Sequence, residues 1–504
     1  MKITKTLCIL LTLFSCGHAA AETPLSIGER RPPLHPEGIV RFLDEPEAES
    51  VLIRHSGTDW QRDHEMRKVD GVWEIDLDTL KWSTGSYEFK FLPDGEWEAG
   101  RNRFAYVDRQ GALARPPAVY LTWQRDPSTT MTVHWHSADA KEPSVILVRA
   151  PDEDEWRSVS GTSEPFPDTD LSIHTVEIED LAPDTTYEFR REANETTYRF
   201  RTLPDTLERP VRFVNGGDVY LNGEWMDQMN ALAGTLDPDF VVIGGDLAYA
   251  DGRADLVWRW LRYFASFYDH LRAPDGRMIP TVVTIGNHEV TRHFLPDHDD
   301  YEPGDAWRLR VSPYFYRLFA MPGQPGYAAL DVGDYLSLIL LDTLHTNPID
   351  GDQRAWLEKT LATRRQVTHL FPVYHVPAYP SVRDFDDLPN RLIREHWIPL
   401  FEEAGIRLAF EHHDHAFKVT HPLRGGERHP DGIVFVGDGA WGVYLRTPAT
   451  PEERDYLRIS ASVHHLFEVV LEPERRHVRA LDIDGNELDR FEQPVQAEVL
   501  QPDP

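Results

Sequence analysis

Cysteine is almost missing from this chain. Only Cys8 and Cys16 occur, both near the N-terminus, so a disulfide framework is excluded for everything that follows. Positive charge is also scarce: 52 Lys and Arg stand against 84 Asp and Glu, a formal net charge of -32. That balance argues against nucleic acid and other polyanions as partners. Long apolar runs are absent too. The longest, from Leu7 to Phe14, is too short to span a bilayer. There is no internal repeat and no low-complexity tract. What remains is ordinary globular composition, with 41% hydrophobic and 27% charged residues over 504 positions, enough for about three domains at roughly 150 residues each.

The first residues, Met1-Lys2-Ile3-Thr4-Lys5, then the apolar run, then small residues up to Ala21, have the layout of a secretory signal over 1–21. Two exits compete. Cleavage after Ala19-Ala20-Ala21 gives a soluble secreted or periplasmic protein starting near Glu22. Leu13-Phe14-Ser15-Cys16 instead resembles a bacterial lipobox, which would place a lipid anchor on Cys16 and hold the protein at a membrane surface. The soluble form is the preferred expectation.

Short alternating runs separated by turn residues fill the next stretch: Ile39 to Phe42, Val51 to Ile53, Gly71 to Ile75 and Tyr87 to Phe91. They predict a small β-sandwich over 35–110. A second β-patterned block covers 115–203, from AVYLTWQRDPSTTMTVHWHS to YRFRTLP. After Pro204 the period changes, and apolar strands alternate with amphipathic stretches, the mark of an α/β layered domain over 207–493. Strands are predicted at 211–215, 240–244, 281–285, 335–341, 369–374 and 407–411. A helix is predicted over 254–271, with Trp258, Leu261, Phe264, Ala265 and Tyr268 on its core face. The tail from about Pro494 is expected to fray.

Polar residues cluster where those strands end. FVNGGD closes on Asp218, GGDLAY carries Asp246 and Tyr249, TIGNHE carries Asn287 and His288, FPVYHVP carries His375, and EHHDH carries His413 and His415. In open α/β sheets the loops at the carboxyl ends of strands share one crevice, so residues remote in sequence meet there. Two carboxylates, one phenol, one amide oxygen and three imidazoles are too many donors for one ion. They suit a dinuclear centre, where a carboxylate bridges two cations that clamp the attacking and leaving oxygens of a phosphoryl group.

GD at 217–218, GDLAY at 245–249, GNHE at 286–289, His375 and HDH at 413–415 occur in the order seen in purple acid phosphatases, and from about Pro116 to Phe491 the chain resembles that family. LDT at 341–343, Gln353, Trp356-Leu357 and VGDGAWG at 436–442 add to the likeness. LAPDTTYEFR and FRTLP resemble the fibronectin III-like domain that precedes the catalytic domain in the plant-type enzymes. GVWEIDLDTLKWSTGSYEFKFLPDGEWE resembles early-set, Ig-like modules that bind glycogen or starch.

The resemblance implies two N-terminal β-sandwiches followed by a four-layer α/β metallophosphoesterase domain. It implies that Asp218, Tyr249 and His415 hold iron(III), that Asn287, His375 and His413 hold a second divalent ion (iron, zinc or manganese), and that Asp246 bridges the two. The expected activity is hydrolysis of phosphate monoesters by a metal-bound hydroxide. His288 is the candidate proton donor to the leaving group, and Glu289 orients the loop. Phosphodiester or pyrophosphate hydrolysis by the same ions is the close alternative.

Three positions depart from the family pattern: Tyr220 and His412 where Gly is usual, and Pro372 where an aliphatic residue is usual. None removes an expected ligand, but a changed backbone at the former glycines would alter the pocket. A different class of reading is a non-catalytic surface glycan-binding protein, with polysaccharide stacked on Trp60, Trp73, Trp82 or Trp97. Tryptophans within alternating apolar runs are more often core, which leaves Trp97, in the turn DGEWEAG, as the one expected to be exposed. Taken singly, each ligand candidate has an ordinary explanation: an Asp after a strand is usually a turn former. His421 and His429 read as surface residues and His396 as a packing residue of a helix. Asn194 heads a formal glycosylation sequon that carries no weight in a bacterium.

Overall fold

A computed structural model describes residues 34–35, 38–45, 47–100, 102–139, 141–192 and 196–495. The signal segment, Cys8, Cys16 and Asn194 lie outside the described residues, as does the chain beyond residue 495. Among the described residues no helix is long and apolar enough to cross a membrane.

The predicted alternation in the first block forms two antiparallel sheets. One is ordered Leu34–His35, Ile39–Phe42, Val72–Asp76, Arg67–Val69, and the other His64–Glu65, Val51–His55, Gly85–Pro93, Arg103–Val107, Leu113–Ala114. Alternate side chains such as Val40, Phe42, Val51, Ile53, Trp73, Ile75, Phe89 and Phe91 share one core, as a period of two requires. Trp73 and Trp82 are in that core, and Trp97 is 47% exposed, as its turn placement anticipates. The second block likewise forms two four-stranded sheets, built around Met131–Ser137 with Ser172–Ile178 and around Val145–Arg149 with Thr186–Arg191.

The remainder is built on two larger sheets. The first is ordered Thr281–Val283, Phe240–Ile243, Val211–Gly216, His465–Leu471, Arg475–Asp482, Glu487–Pro494, with its first three strands parallel. The second is ordered Ala328–Val332, Leu336–Leu340, His369–Val373, Leu408–Phe410, Val434–Gly437, Phe417–Thr420, Leu457–Ala461. The central strands are apolar on both faces because both faces are covered. Phe213, Phe240, Val242, Leu338, Phe371 and Phe410 meet between the sheets, with the Phe213 ring 6.0 Å from Phe371 and 5.8 Å from Phe410. Their neighbours Val214, Val241, Ile243, Ile339, Leu370 and Ala409 face the other way. There they meet Gly223–Thr235 and Trp258–His270 over one sheet, and Asp352–Ala362, Leu388–His396 and Ile398–Glu403 over the other.

Two expectations need correction. The helix predicted over 254–271 is a 3₁₀ turn, Ala254–Leu256, followed by the α-helix Trp258–His270. Its Tyr268 is half-buried rather than core, because its ring packs edge-on to Tyr198 of the second block. Pro494 pairs with Arg475 at the end of an edge strand, and the tail expected to fray lies, beyond residue 495, outside the described residues. His396 and His421 are half-buried and His429 is exposed. Pro372 sits in a central strand opposite Ile339, and towards Leu408–Phe410 that strand pairs only at Val373. A residue without an N–H suits such a shortened ladder.

A candidate dinuclear metal centre

Five loops, each following a strand with parallel partners, bring all seven predicted ligands together. Asp218 follows Val211–Gly216, Asp246 and Tyr249 follow Phe240–Ile243, and Asn287 follows Thr281–Val283. His375 follows His369–Val373, and His413 and His415 follow Leu408–Phe410. Both sheets thus point the carboxyl ends of their parallel strands at one crevice.

Donor atoms crowd there in two groups that share Asp246. Asp218, Asp246 and His415 form one, Asp246, His375 and His413 the other, each with its ligand atoms within 4.8 Å of one another. In the first group the Tyr249 hydroxyl lies 3.2 Å from Asp218 Oδ1 and 3.1 Å from His415 Nε2. In the second, His375 Nε2 lies 3.1 Å from Asn287 Oδ1, 3.0 Å from His413 Nδ1 and 3.2 Å from Asp246 Oδ2. Asp246 Oδ2 is buried and has no hydrogen-bond partner. A buried, unsatisfied carboxylate oxygen between two nests of donors calls for a cation.

The backbone is bent to make this arrangement. Asp218, Asp246, Tyr249, His413 and His415 all have φ between 53° and 78°. Left-handed non-glycine residues are uncommon, and they concentrate where function sustains the strain. The replaced glycines do not share it: Tyr220 and His412 lie outside the left-handed region. The His412 ring occupies the space a side chain at Gly244 would need, and its Nδ1 faces the Tyr374 carbonyl at 2.8 Å. Tyr220 donates to Glu88 Oε1 of the first block at 3.1 Å and lies under the Arg259 guanidinium.

Electrostatics bear out a site short of positive charge. Burial would raise the Asp246 carboxyl, but His375 and His288 hold it far below the usual range. Burial would lower His375, and Asp246 and Asp218 instead lift it to about 9. Burial, and then the Asp218 and Asp246 carboxylates, push the Tyr249 phenol well above its usual value. Burial, joined by Arg383, keeps His413 neutral.

His288 stands at the open edge. Its backbone N–H donates to Asp246 Oδ1 at 2.8 Å, its ring lies tilted against Tyr249 with centroids 4.1 Å apart, and its Nδ1 lies 2.5 Å from Asp251 Oδ1. Glu289 accepts backbone N–H bonds from Asp246, Leu247 and Gly286, tying two ligand loops together. Sequence reasoning missed Asp251 and His293, which with His288 form a third cluster. Asp251 follows GDLAYA by one residue, and a lone Asp in a turn gives no warning of a partner 37 positions away.

Two family descriptions match the chain in succession: the purple acid phosphatase N-terminal domain over residues 116–202 and the calcineurin-like phosphoesterase over 211–417. The chain is a purple acid phosphatase-like phosphoesterase. Purple acid phosphatase 22 of Arabidopsis thaliana is 25% identical over 304 residues, covering 59% of this chain and 66% of that protein. An uncharacterized protein of Mycobacterium tuberculosis is 24% identical over 395 residues, covering 69% and 68%. Among solved structures, purple acid phosphatase PPD1 from yellow lupin superposes with a TM-score of 0.64 at 14% identity, over 90% of this chain and 92% of that one. PhoD gives a TM-score of 0.57 at 13% identity, over 77% and 94%. This phosphoesterase is accordingly a hydrolase of phosphoric ester bonds, with a sheet-rich N-terminal part ahead of a metallophosphoesterase domain.

Proposed function

We propose that this phosphoesterase is an exported phosphate monoesterase with a dinuclear centre of iron(III) and a divalent iron, zinc or manganese ion. The observation that carries the reading is the pair of donor groups sharing Asp246, whose Oδ2 is otherwise unsatisfied. In this reading Asp218, Tyr249 and His415 hold the trivalent ion, Asn287, His375 and His413 hold the divalent one, and Asp246 bridges. Tyr249 favours iron(III) because ionising a phenol that burial and two carboxylates oppose takes a hard, highly charged cation. When bound, such a pair of ions activates water and polarises the phosphoryl oxygens. His288 then donates a proton to the departing alkoxide, with Asp251 holding its Nδ1 so that Nε2 faces the crevice. Glu289 keeps the Asp246 and Asn287 loops in register. We further propose a signal segment over 1–21, an early-set Ig-like module over 35–110, a fibronectin III-like domain over 115–203 and a catalytic domain over 207–493.

Elemental analysis and a visible spectrum test the metal assignment. The native protein is expected to contain iron and to show a tyrosinate-to-iron absorption that Tyr249→Phe abolishes. A purple Tyr249→Phe variant would refute that ligand. Turnover of an aryl phosphate tests the reaction, and activity confined to the bis-aryl diester would replace the monoesterase reading.

A further inference from the structure

The metal centre lies at the carboxyl ends of the parallel strands, and a separate cavity lies at the opposite ends of two of them. Residues 364–368 lead into the strand His369–Val373, and residues 404–407 lead into Leu408–Phe410. With the start of Arg475–Asp482 they enclose about 240 Å³, and the wall includes Arg364, Arg365, Gln366, Thr368, Arg407 and Arg476. Four guanidiniums thus border one space, and no Asp or Glu is among the described residues that line it. Their commitments differ. Arg364 is spent on Asp331, at 2.9 and 2.7 Å, and on the Thr360 carbonyl at 3.0 Å. Arg365 and Arg407 each meet one exposed carboxylate, Glu403 at 2.5 Å and Asp431 at 3.0 Å. Such pairs are weak, because water and salt screen them. Arg476 has no carboxylate at all. It is 3% exposed, its Nε and Nη1 are buried without a hydrogen-bond partner, and among the described residues it makes no ion pair. Its guanidinium lies over the Phe371 ring, with Cζ 5.0 Å from the centroid. Burial and then the Arg407 cation push it down to about 10.

A buried cation is normally paired. The ring face offsets part of the Arg476 charge, but it leaves the N–H donors unused. We infer that this cavity is an oxyanion site, distinct from the metal centre, whose ligand is inorganic phosphate. Arg476 supplies the buried charge, and Arg407 and Arg365 can turn to the anion from carboxylates that hold them weakly. The planar fork of Arg matches a tetrahedral oxyanion bidentately, and Thr368 and Gln366 add neutral donors. Size points the same way: the cavity is smaller than the roughly 300–1,000 Å³ usual for organic ligands, which suits a compact, partly hydrated anion.

The test uses the metal-loaded full chain, calorimetric titration with inorganic phosphate, and a crystal soaked in tungstate. Phosphate is expected to bind at two classes of site, and tungstate to give anomalous density between Arg407 and Arg476 as well as in the metal crevice. Arg476→Gln is expected to weaken one class by about tenfold or more and to erase the density beside Arg407. Inhibition of aryl phosphate turnover by phosphate, which reports the metal crevice, should stay unchanged in that variant. Should Arg476→Gln not fold, Arg407→Gln is expected to weaken the same class and spare the other. A single class in the wild type, two classes that both survive these substitutions, or tungstate confined to the metal crevice would each overturn the inference. The guanidiniums would then serve only to neutralise the carbonyl ends of the helices Asp352–Ala362 and Ile398–Glu403. Titration and density are read without turnover, so a protein inactive on aryl phosphates would sink the phosphatase reading separately.

Discussion

His288 is held from two sides by different carboxylates: its main chain by Asp246, and its ring by Asp251 at 2.5 Å. Asp251 is also a partner of His293, and although burial would raise it, hydrogen bonds from the two imidazoles hold it well below the usual carboxylate range. If His288 supplies the leaving-group proton, its loss matters most where the leaving group is a poor one. His288→Asn is expected to lower kcat for an alkyl phosphate by about 10²–10⁴ and that for an activated aryl phosphate much less. Asp251→Asn should shift the alkyl-to-aryl ratio in the same direction by about tenfold, as a residue that orients the ring rather than donating the proton. A uniform loss on both substrates in either variant would show that the pair does no more than shape the pocket.

Among elements, one buried carboxylate gathers three donors where the second block meets the catalytic sheet. Asp239 immediately precedes the strand Phe240–Ile243 and is buried. It accepts Arg201 from the last strand of the second block at 2.7 Å, Arg209 from the connecting segment at 3.0 Å, and the backbone N–H of Arg212 in the neighbouring strand at 2.9 Å. Burial would raise its pKa, but Arg209 and then Arg201 hold it below the ordinary value of 3.8. A depressed carboxylate stabilises the fold above its unfolded pKa, and that contribution fades as pH falls through the lower folded value. Asp239→Asn is expected to cost about 3 kcal/mol at neutral pH in denaturant unfolding. The difference from wild type should shrink below about pH 4. An unchanged midpoint at pH 7 would mean that the other contacts across the junction, such as Trp123 against Phe240 at 5.9 Å and Tyr198 with Tyr268, carry it without the carboxylate.

For the molecule as a whole, buried neutral histidines set the response to acid. His134, His136 and His369 are each held by burial at about 3, far below their unfolded value. Below about pH 6.5 the unfolded chain takes up protons that these buried imidazoles refuse, so each of them lowers stability as pH falls from there toward 3. Each such group contributes a slope of about 1.4 kcal/mol per pH unit. Unfolding free energies at pH 7, 6 and 5 are expected to decrease steadily, whatever the pH optimum of catalysis. Equal stability at pH 7 and 5 would show that compensating groups cancel the histidines. The blocks also share apolar cores: Phe104 and Tyr106 pack with the helix Trp258–His270, and Trp123 and Trp135 join the cluster that lies between the catalytic sheets.

The strands and the ligand types were legible because both rest on local rules. Apolar runs bounded by turn residues mark strands whatever surrounds them, and metal donors come from a short menu of side chains that must follow those strands. The antiparallel additions His465–Leu471, Arg475–Asp482 and Glu487–Pro494, which extend the first sheet beyond Val211–Gly216, were not legible, because nothing in their own pattern names the edge they join. Nor were the pairing of Asp251 with His288 or the contact of Tyr220 with Glu88. Order along the chain determined which residues are able to bind metal. Only folding decided which of the other charges find partners, because pairing depends on distances between segments that sequence does not encode locally.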